Sequence, residues 1–477
     1  MLNSLEQKVF LDLSYEELEA RNLELKAERK EGKTQDYFAQ KVLKILKDEK
    51  KIKAVMLCFT DIEGKLLNLD YDKTFFINSH DNLTFDGSSV RGFSTQDKSD
   101  LRLQVDFSSL RFLPSCVFGP GKVMMFASAF TQDGKPYESD FRQKLHSLCD
   151  DLYAKDKTIV NVAPEIEGFL LDGIDSEQNF EALGKFELVT TGGYFNSLPQ
   201  DKLRKFIDAV AEIKRCMGFE NEKDHPEVAP SQFELNYKYT KALEAADQIQ
   251  IYKLICRQVA KLMGCTASFL PKPVMNINGS GMHMNISLET AGRNIFFEKG
   301  SEISESGKKF ATSILYYAKD LCLILNSSVN AYRRLDPKFE APNEIKISSS
   351  DRSAMIRIPI GNEKSSRIEI RSVAPDCNPY LMIFAVVSIG VSKQDDKEMS
   401  KILNKREKLP GNIYDALRYF KASGTLKAIL GDVSCEKFAE IKEMAANRCP
   451  KDLGCKVKVS EIIYHHEVTN QVLWYNF

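Results

Sequence analysis

The sequence predicts an α+β fold in two units, a small one ending near residue 125 and a large one filling the rest. Strand-like alternating runs and long helical patterns succeed one another, with no internal repeat, low-complexity tract or obvious linker. At 477 residues and 43% hydrophobic content, the chain is long enough for two or more domains and a sizeable core. Its longest apolar run, Leu381 to Val391, is interrupted by Ser388 and Gly390 and too short to cross a bilayer, so it reads as a buried helix.

Charge and cysteine content exclude several functions. Lys plus Arg total 66 and Asp plus Glu 67, so the formal net charge of -1 gives no overall pull toward nucleic acid or an anionic membrane, and any anion site must be local. The 11 cysteines are scattered without a CxxC pair, which argues against a disulfide framework and a zinc ribbon. The N-terminus has acidic residues and no continuous hydrophobic region, so no secretory signal is expected and a reducing cytoplasm is the simplest home.

Residues 1–34 read as a helical extension, with Ser14 and Glu17 forming a capping box and Gly32 ending the pattern; it is either an interaction helix or a solvated extension. Residues 35–122 form the small unit. A helix from Asp36 to Asp48 leads into a strand over Ile52 to Phe59, the turn DIEGK and a second strand. The unit also holds FDGSSVRGF, a polar loop bracketed by Gly87 and Gly92 that could be a simple turn. Residues 123–477 form the large unit, with helices expected over Tyr137–Lys155, Lys202–Met217, Thr240–Met263 and Gly307–Asn326. No GxxxxGK[ST] occurs, so a nucleotide would have to bind without a P-loop.

Candidate chemistry lies on four segments of the large unit. In VAPEIEGFLLD the period-two spacing puts Glu165 and Glu167 on one strand face with Ile166 behind. HPEVAPSQFELNY adds Glu227 and Glu234, and NINGSGMHMNISL runs from a glycine-rich turn into a strand with His283 and Asn285 on one face. Between Arg352 and Arg371 two short strands flank the turn GNEKSS; Ile356, Ile358 and Ile360 form one apolar face, while Arg367, Glu369 and Arg371 share a charged one. Each segment alone fits a solvated edge or a structural histidine at least as well as a site. Together they supply five Glu and one His, a donor set suited to two oxygen-preferring cations such as Mg²⁺ or Mn²⁺.

FDGSSVRGF, PEIEGFLLD, GGYF, HPEVAPSQFEL, NGSGMHMNISL, NAYRRLDPKFEAP, SDRSAMIRIP and RIEIRSVAPDCNPYL resemble, in order, the signature segments of type I glutamine synthetase. They span about residues 52–381, and LPGNIYDAL and the C-terminal end are similar to that family as well. The resemblance implies a β-grasp-like N-terminal domain and a large catalytic α+β domain whose antiparallel sheet lines the active site. The activity implied is ATP-dependent formation of L-glutamine from L-glutamate and ammonia through γ-glutamyl phosphate. A γ-glutamyl ligase for an organic amine and a non-catalytic ring-forming relative are the alternatives.

By the same resemblance, Glu167, Glu227 and Glu234 would hold one divalent ion, and Glu165, His283 and Glu369 the other. Arg334, Arg352 and Arg371 match positions that bind substrate carboxylate or phosphate, and Asn278 and Gly279 match a loop that holds the amino acid. Arg357 and Arg367, with Lys364, Asn285 and Ser287, fall in the nucleotide neighbourhood, as does Glu222. Asp86, Ser89, Tyr194, Glu227 and Glu340 match the ammonium pocket, with Asp86 as general base and Glu340 as lid. Asp86 and Ser89 would come from a neighbouring subunit, so the implied assembly is a homo-oligomer of two stacked hexameric rings.

The chain also departs from the family. Asn285 stands where a second histidine is usual, and Val-Met-Asn-Ile precedes NGSG where a Gly-Asp pair is common. Asn-Ser-Leu-Pro follows GGYF, and the N-terminal extension is longer than usual. Tyr414 lies where some type I enzymes are adenylylated.

Overall fold

The computed structural model describes residues 13–177, 179, 186–197, 199–392, 399 and 401–451; the C-terminal end that resembles the family lies outside these from residue 452. The N-terminal capping box forms: the Glu17 N–H donates to Ser14 Oγ at 3.2 Å and the Ser14 N–H to Glu17 Oε2 at 3.0 Å, opening the helix Tyr15–Lys30. This helix is docked, with Leu18, Asn22, Leu25 and Lys26 buried. The Asn22 amide donates to the carbonyls of Phe112 (3.0 Å) and Cys216 (2.9 Å) and accepts from the Phe112 N–H (2.9 Å). It therefore joins the small sheet to a helix of the large unit.

The small sheet contains β1 (Ala54–Thr60), β2 (Leu66–Asp72), β3 (Leu83–Asp86), β4 (Asp100–Phe112) and β5 (Lys122–Phe130) in the order β2-β1-β5-β4-β3. Only β1 and β5 run parallel. The helix Gln35–Asp48 buries Phe38, Val42 and Leu46, a four-residue repeat that keeps one face on the core.

The large sheet is built around β6 (Thr158–Asp172). Its main path also takes β7 (Asn221–Pro226), β8 (Gln232–Tyr237), β11 (Met282–Thr290), β13 (Glu344–Ser348), β14 (Ala354–Arg357) and β15 (Ile368–Ile370), in the order β13-β14-β15-β11-β6-β8-β7; off this path the short β9 (Thr240–Lys241) and β10 (Cys265–Ser268) pair with β6 and β12 (Arg293–Asn294) with β11. Every pairing from β14 to β7 is antiparallel. The apolar run 381–391 lies in the helix Pro379–Gly390, which is buried almost all round. A charged joint ties the two units: Arg142, with its side chain 1% exposed, reaches Asp247 at 2.9 and 2.7 Å and Asp106 on β4 at 2.7 Å, and the Tyr380 hydroxyl donates to Asp247 at 2.7 Å. The two aspartates and the hydroxyl compensate a guanidinium that would otherwise be costly to bury.

Local chemistry moves several expected boundaries. The helix expected from Tyr137 begins at Phe141, because Asp140 caps it by accepting the Gln143 N–H at 3.0 Å. The helix expected over Gly307–Asn326 is two helices, Glu305–Tyr316 and Ala318–Leu325, separated at Tyr317 with φ -96 and ψ 17. Thr240 and Lys241 pair with β6 before the helix Ala242–Leu262 starts. The apolar face read through Ile360 stops earlier: Ile356 and Ile358 are buried, but Ile360 is fully exposed. Pro359 has no N–H to continue the ladder, so the strand ends before it. Among the described residues, no helix is long and apolar enough to cross a membrane.

Candidate active site

Strand register brings the carboxylates together. Glu165 and Glu167 share the open face of β6 while Ile166 is 1% exposed behind them. On β6 Glu167 pairs with Glu234 of β8, which in turn pairs with His225 of β7. On the other side Glu165 pairs with His283 of β11, and Asn285 of β11 pairs with Glu369 of β15. Residues from 165 to 369 thus line one cleft of about 290 Å³.

Two clusters have metal-ligand geometry. In one, Glu165, His283 and Glu369 offer ligand atoms within 4.8 Å of one another, with His283 Nδ1 3.6 Å from both carboxylates. These are the three residues that the resemblance groups around one ion. The other comprises His225, Glu227 and Glu234, with His225 Nδ1 3.4 Å from Glu227 and Nε2 3.7 Å from Glu234. Glu167 lines the same cleft, but its Oε2 accepts the Gly281 N–H at 2.8 Å and the Gln232 amide at 3.3 Å. His225 was not singled out in the sequence, although its spacing of two from Glu227 repeats the Glu165–Glu167 signal.

Electrostatics distinguish the clusters. Burial, then the charges of Glu167 and Glu234, push the Glu227 carboxyl up to about 9. Burial with the charges of Glu167 and Glu165 pushes Glu234 up to about 8. Among the described residues, the ion pairs that reach these two acids come from His225 alone. Burial would raise Glu165 as well, but the hydrogen bond and charge of His283, with the Asn285 amide, outweigh it and bring Glu165 to about 2. Both sets fit a hard divalent cation: buried carboxylates with one imidazole each, and at Glu227 and Glu234 a repulsion that such a cation would relieve.

The hairpin β14–β15 supplies the positive side. Arg357 Nε donates to Glu369 Oε2 at 2.6 Å, and Arg371 Nε lies 3.4 Å from Oε1. Arg334 is buried against the Arg371 and Val373 carbonyls (3.0 and 3.3 Å), with Nη2 3.3 Å from His283 Nε2. Gly281 permits this approach, since a Cβ there would lie 2.3 Å from Arg334 Nη2. Asn285 connects the two halves: its amide donates to Glu165 Oε1 at 3.1 Å and its carbonyl accepts from Arg367 Nε at 2.8 Å.

Over the cleft, Glu340 is fixed at both oxygens, accepting from Arg352 Nη1 (2.7 Å) and Asn278 Nδ2 (3.0 Å). Gly279 and Tyr194 also line the cleft, and Tyr194 stacks on Phe195 at 3.8 Å. Other expected residues are absent from that lining. Ser287 lies two positions beyond Asn285 on β11, Lys364 is exposed on the hairpin turn, and Glu222 precedes the cleft-lining Lys223. Asp86 and Ser89 also stand apart from the cleft of their own chain, where Asp86 accepts hydrogen bonds from the Ser88 and Ser89 hydroxyls.

Two family matches place the small unit and the cleft-bearing sheet in a family of ligases. Residues 138–453 match the glutamine synthetase catalytic domain and residues 51–131 the glutamine synthetase β-grasp domain. The chain belongs to the glutamine synthetase family, whose members use ATP and divalent metal. It is 34% identical to glutamine synthetase of Thermotoga maritima over an alignment of 420 residues that covers 84% of this chain and 94% of that protein. Among solved structures it is similar to GmaS in complex with ADP (TM-score 0.71, 26% identity, 84% of this chain and 94% of that one). It also shares the fold of Plasmodium falciparum glutamine synthetase (TM-score 0.77, 21% identity, 88% and 98% covered).

Proposed function

We propose that the chain makes L-glutamine from L-glutamate, ammonia and ATP. The observation that carries this reading is the division of one cleft into a carboxylate side on β6, β7 and β8 and an arginine side on the hairpin, with Glu340 held across its mouth. An oxygen of the glutamate γ-carboxylate attacks the γ-phosphorus of ATP, and ADP leaves with the electron pair of the broken P–O bond. Ammonium then gives a proton to a carboxylate, ammonia forms the C–N bond to the acyl carbon, and the acyl C–O bond breaks as phosphate leaves with that bond's electron pair and takes up the second proton lost by nitrogen.

Arg334, Arg352 and Arg371 serve the substrate's negative oxygens, and Arg357 and Arg367 the nucleotide phosphates; guanidinium forks suit both. Asn278 and Gly279 hold the amino acid's main-chain groups. Mg²⁺ or Mn²⁺ held by Glu165, His283 and Glu369, and by Glu227, Glu234, Glu167 and His225, would supply electrostatic stabilisation of the gathered oxygens. Glu340 shields the acyl phosphate from water and, with Tyr194, Glu227, and Asp86 and Ser89 of a neighbouring copy, completes the ammonium pocket. The working form is then a homo-oligomer, two stacked hexameric rings in the cytoplasm.

A specific observation favours the organic-amine alternative: Tyr194 and Phe195 present a stacked aromatic pair beside His225, the kind of surface that attracts a substituted ammonium. Incubating the purified protein with ATP, glutamate and Mg²⁺ or Mn²⁺, and varying ammonia against small amines, separates the readings through phosphate release. Ammonia is expected to give the highest kcat/KM. Preference for an organic amine would replace the reading, and no amine-dependent release with any acceptor would end it.

A further inference from the structure

The β1–β2 turn carries an ion triad, with Glu63 and Lys442 buried and Arg91 partly exposed, that the reaction leaves unexplained. Glu63 and Lys442 each have side chains only 2% exposed, and Lys442 Nζ donates to Glu63 Oε1 at 2.5 Å. The other oxygen, Oε2, lies 2.5 Å from Arg91 Nε, in an ion pair without hydrogen-bond alignment. Lys442 belongs to the helix Asp432–Lys451, Glu63 to the small unit, and Arg91 to the loop that carries Asp86 and Ser89.

Other contacts converge on the same joint. Lys437, from the same helix, donates to the Phe93 carbonyl at 2.6 Å, and the Ile62 N–H donates to the Arg91 carbonyl at 3.4 Å. Gly92, at φ +75, packs so tightly that a Cβ would come within 2.2 Å of Ile62 and 3.2 Å of Ile441. The turn itself is held by the large unit: Asn378 donates to the Ile62 carbonyl at 3.0 Å and Gln250 to the Gly64 carbonyl at 2.8 Å. Loop, turn and C-terminal helix therefore cannot shift independently.

We propose that Arg91, Glu63 and Lys442 are positioning residues which fix the Asp86–Ser89 loop from the C-terminal helix, and with it the amine-accepting half of the active site. This rests on the reading of Asp86 as the base that receives the ammonium proton. A buried charge stripped of one partner is strongly unfavourable. Losing Lys442 therefore drives Glu63 toward solvent and takes Arg91 and its loop along. Arginine at 442 keeps the charge and restores the pairing.

The test compares wild type, Lys442→Met and Lys442→Arg by hydrogen–deuterium exchange over residues 86–93 and by steady-state kinetics with each substrate varied. In Lys442→Met, exchange in this segment and KM for the amine are each expected to rise about tenfold, equivalent to about 1.4 kcal/mol. KM for ATP is expected to stay within about twofold, and Lys442→Arg to recover wild-type behaviour in both readouts. If Lys442→Met does not fold, Glu63→Gln/Lys442→Met takes its place, since it leaves no uncompensated buried charge. Unchanged exchange, parallel rises in KM for ATP and amine, or failure of arginine to rescue would each overturn the proposal. Should wild type lack amine-dependent turnover, the functional reading fails and the exchange measurement alone decides whether the triad holds the loop.

Discussion

Returning a divalent cation to the metal-free protein should expel protons from Glu227 and Glu234. With carboxyls at about 9 and about 8, the pair holds roughly two protons at pH 7 and a little over half a proton at pH 9, since ligation requires the deprotonated acids. Glu165, brought to about 2, has no proton to give at either pH. Mn²⁺ titrated calorimetrically in two buffers of different ionisation enthalpy measures the release directly. Close to two protons per site are expected at pH 7, fewer than one at pH 9, and little release from Glu227→Gln/Glu234→Gln.

The same shifts fix the pH dependence of stability. Both folded values lie above the ordinary value of about 4.3, so the folded chain binds more protons than the unfolded one between them. The contribution is fully present below about pH 4.3 and is lost as pH rises through 8 and 9. The metal-free protein should therefore melt at a lower temperature at pH 9 than at pH 7 by more than the double variant does, and saturating Mn²⁺ should narrow that difference. Proton-free Mn²⁺ binding at pH 7 would refute the account, because it would mean the two acids are already ionised side by side.

Asn285→Ala removes two hydrogen bonds to charged partners, at 2.8 and 3.1 Å, while Arg367 keeps the Ser365 carbonyl. A net loss of about 2 kcal/mol, or about thirtyfold in KM for ATP, is expected with Mn²⁺ affinity nearly unchanged, and an equal fall in both would count against its bridging role. Glu340→Ala loses both anchors of the lid, so phosphate release should outrun amide formation; an unchanged ratio of the two products would argue against shielding. Asn22→Ala strands the Phe112 N–H and the Cys216 carbonyl in the interior, at a cost of about 2–4 kcal/mol in urea unfolding. A loss below about 0.5 kcal/mol would mean the N-terminal helix is not anchored there.

Much of this site was legible because strand alternation assigns faces from sequence alone. Glu165, Glu167, His283 and Glu369 each stood opposite an aliphatic neighbour, and the sheet keeps that division. Alternation says nothing about which strands become neighbours, so the pairing of Glu167 with Glu234 needed the fold. Beyond its spacing from Glu227, His225 carries no such signal in the sequence, because its ligand character arises only when β7 lies beside β8. The docking of the N-terminal helix was equally hidden: its sequence is strongly polar, and the anchor is one asparagine reaching two distant carbonyls. Ile360 misled in the opposite sense, since an aliphatic at the right spacing lies beyond a proline that ends the strand.

The cleft's charged side chains balance in number but not in place. Its lining holds six glutamates, and Lys223 and five arginines make six cationic side chains, but Glu227 and Glu234 keep their protons at pH 7 in the metal-free protein, which leaves the cleft net positive. Pairing is uneven. Among the described residues, Glu369 has Arg357 and Arg371, and Glu340 has Arg352, whereas Glu227 and Glu234 have only an imidazole as ion-pair partner. Arg334 is anchored by two backbone carbonyls and lines the cleft as well. One side therefore holds acids that keep their protons until a cation displaces them and the other holds arginines with donors to spare, a separation maintained by opposite ends of one sheet. An anionic ligand is thus drawn toward the metal-free cleft, and raising salt at pH 7 should slow nucleotide capture; a capture rate indifferent to salt would mean that Glu227 and Glu234 are ionised and cancel the arginines.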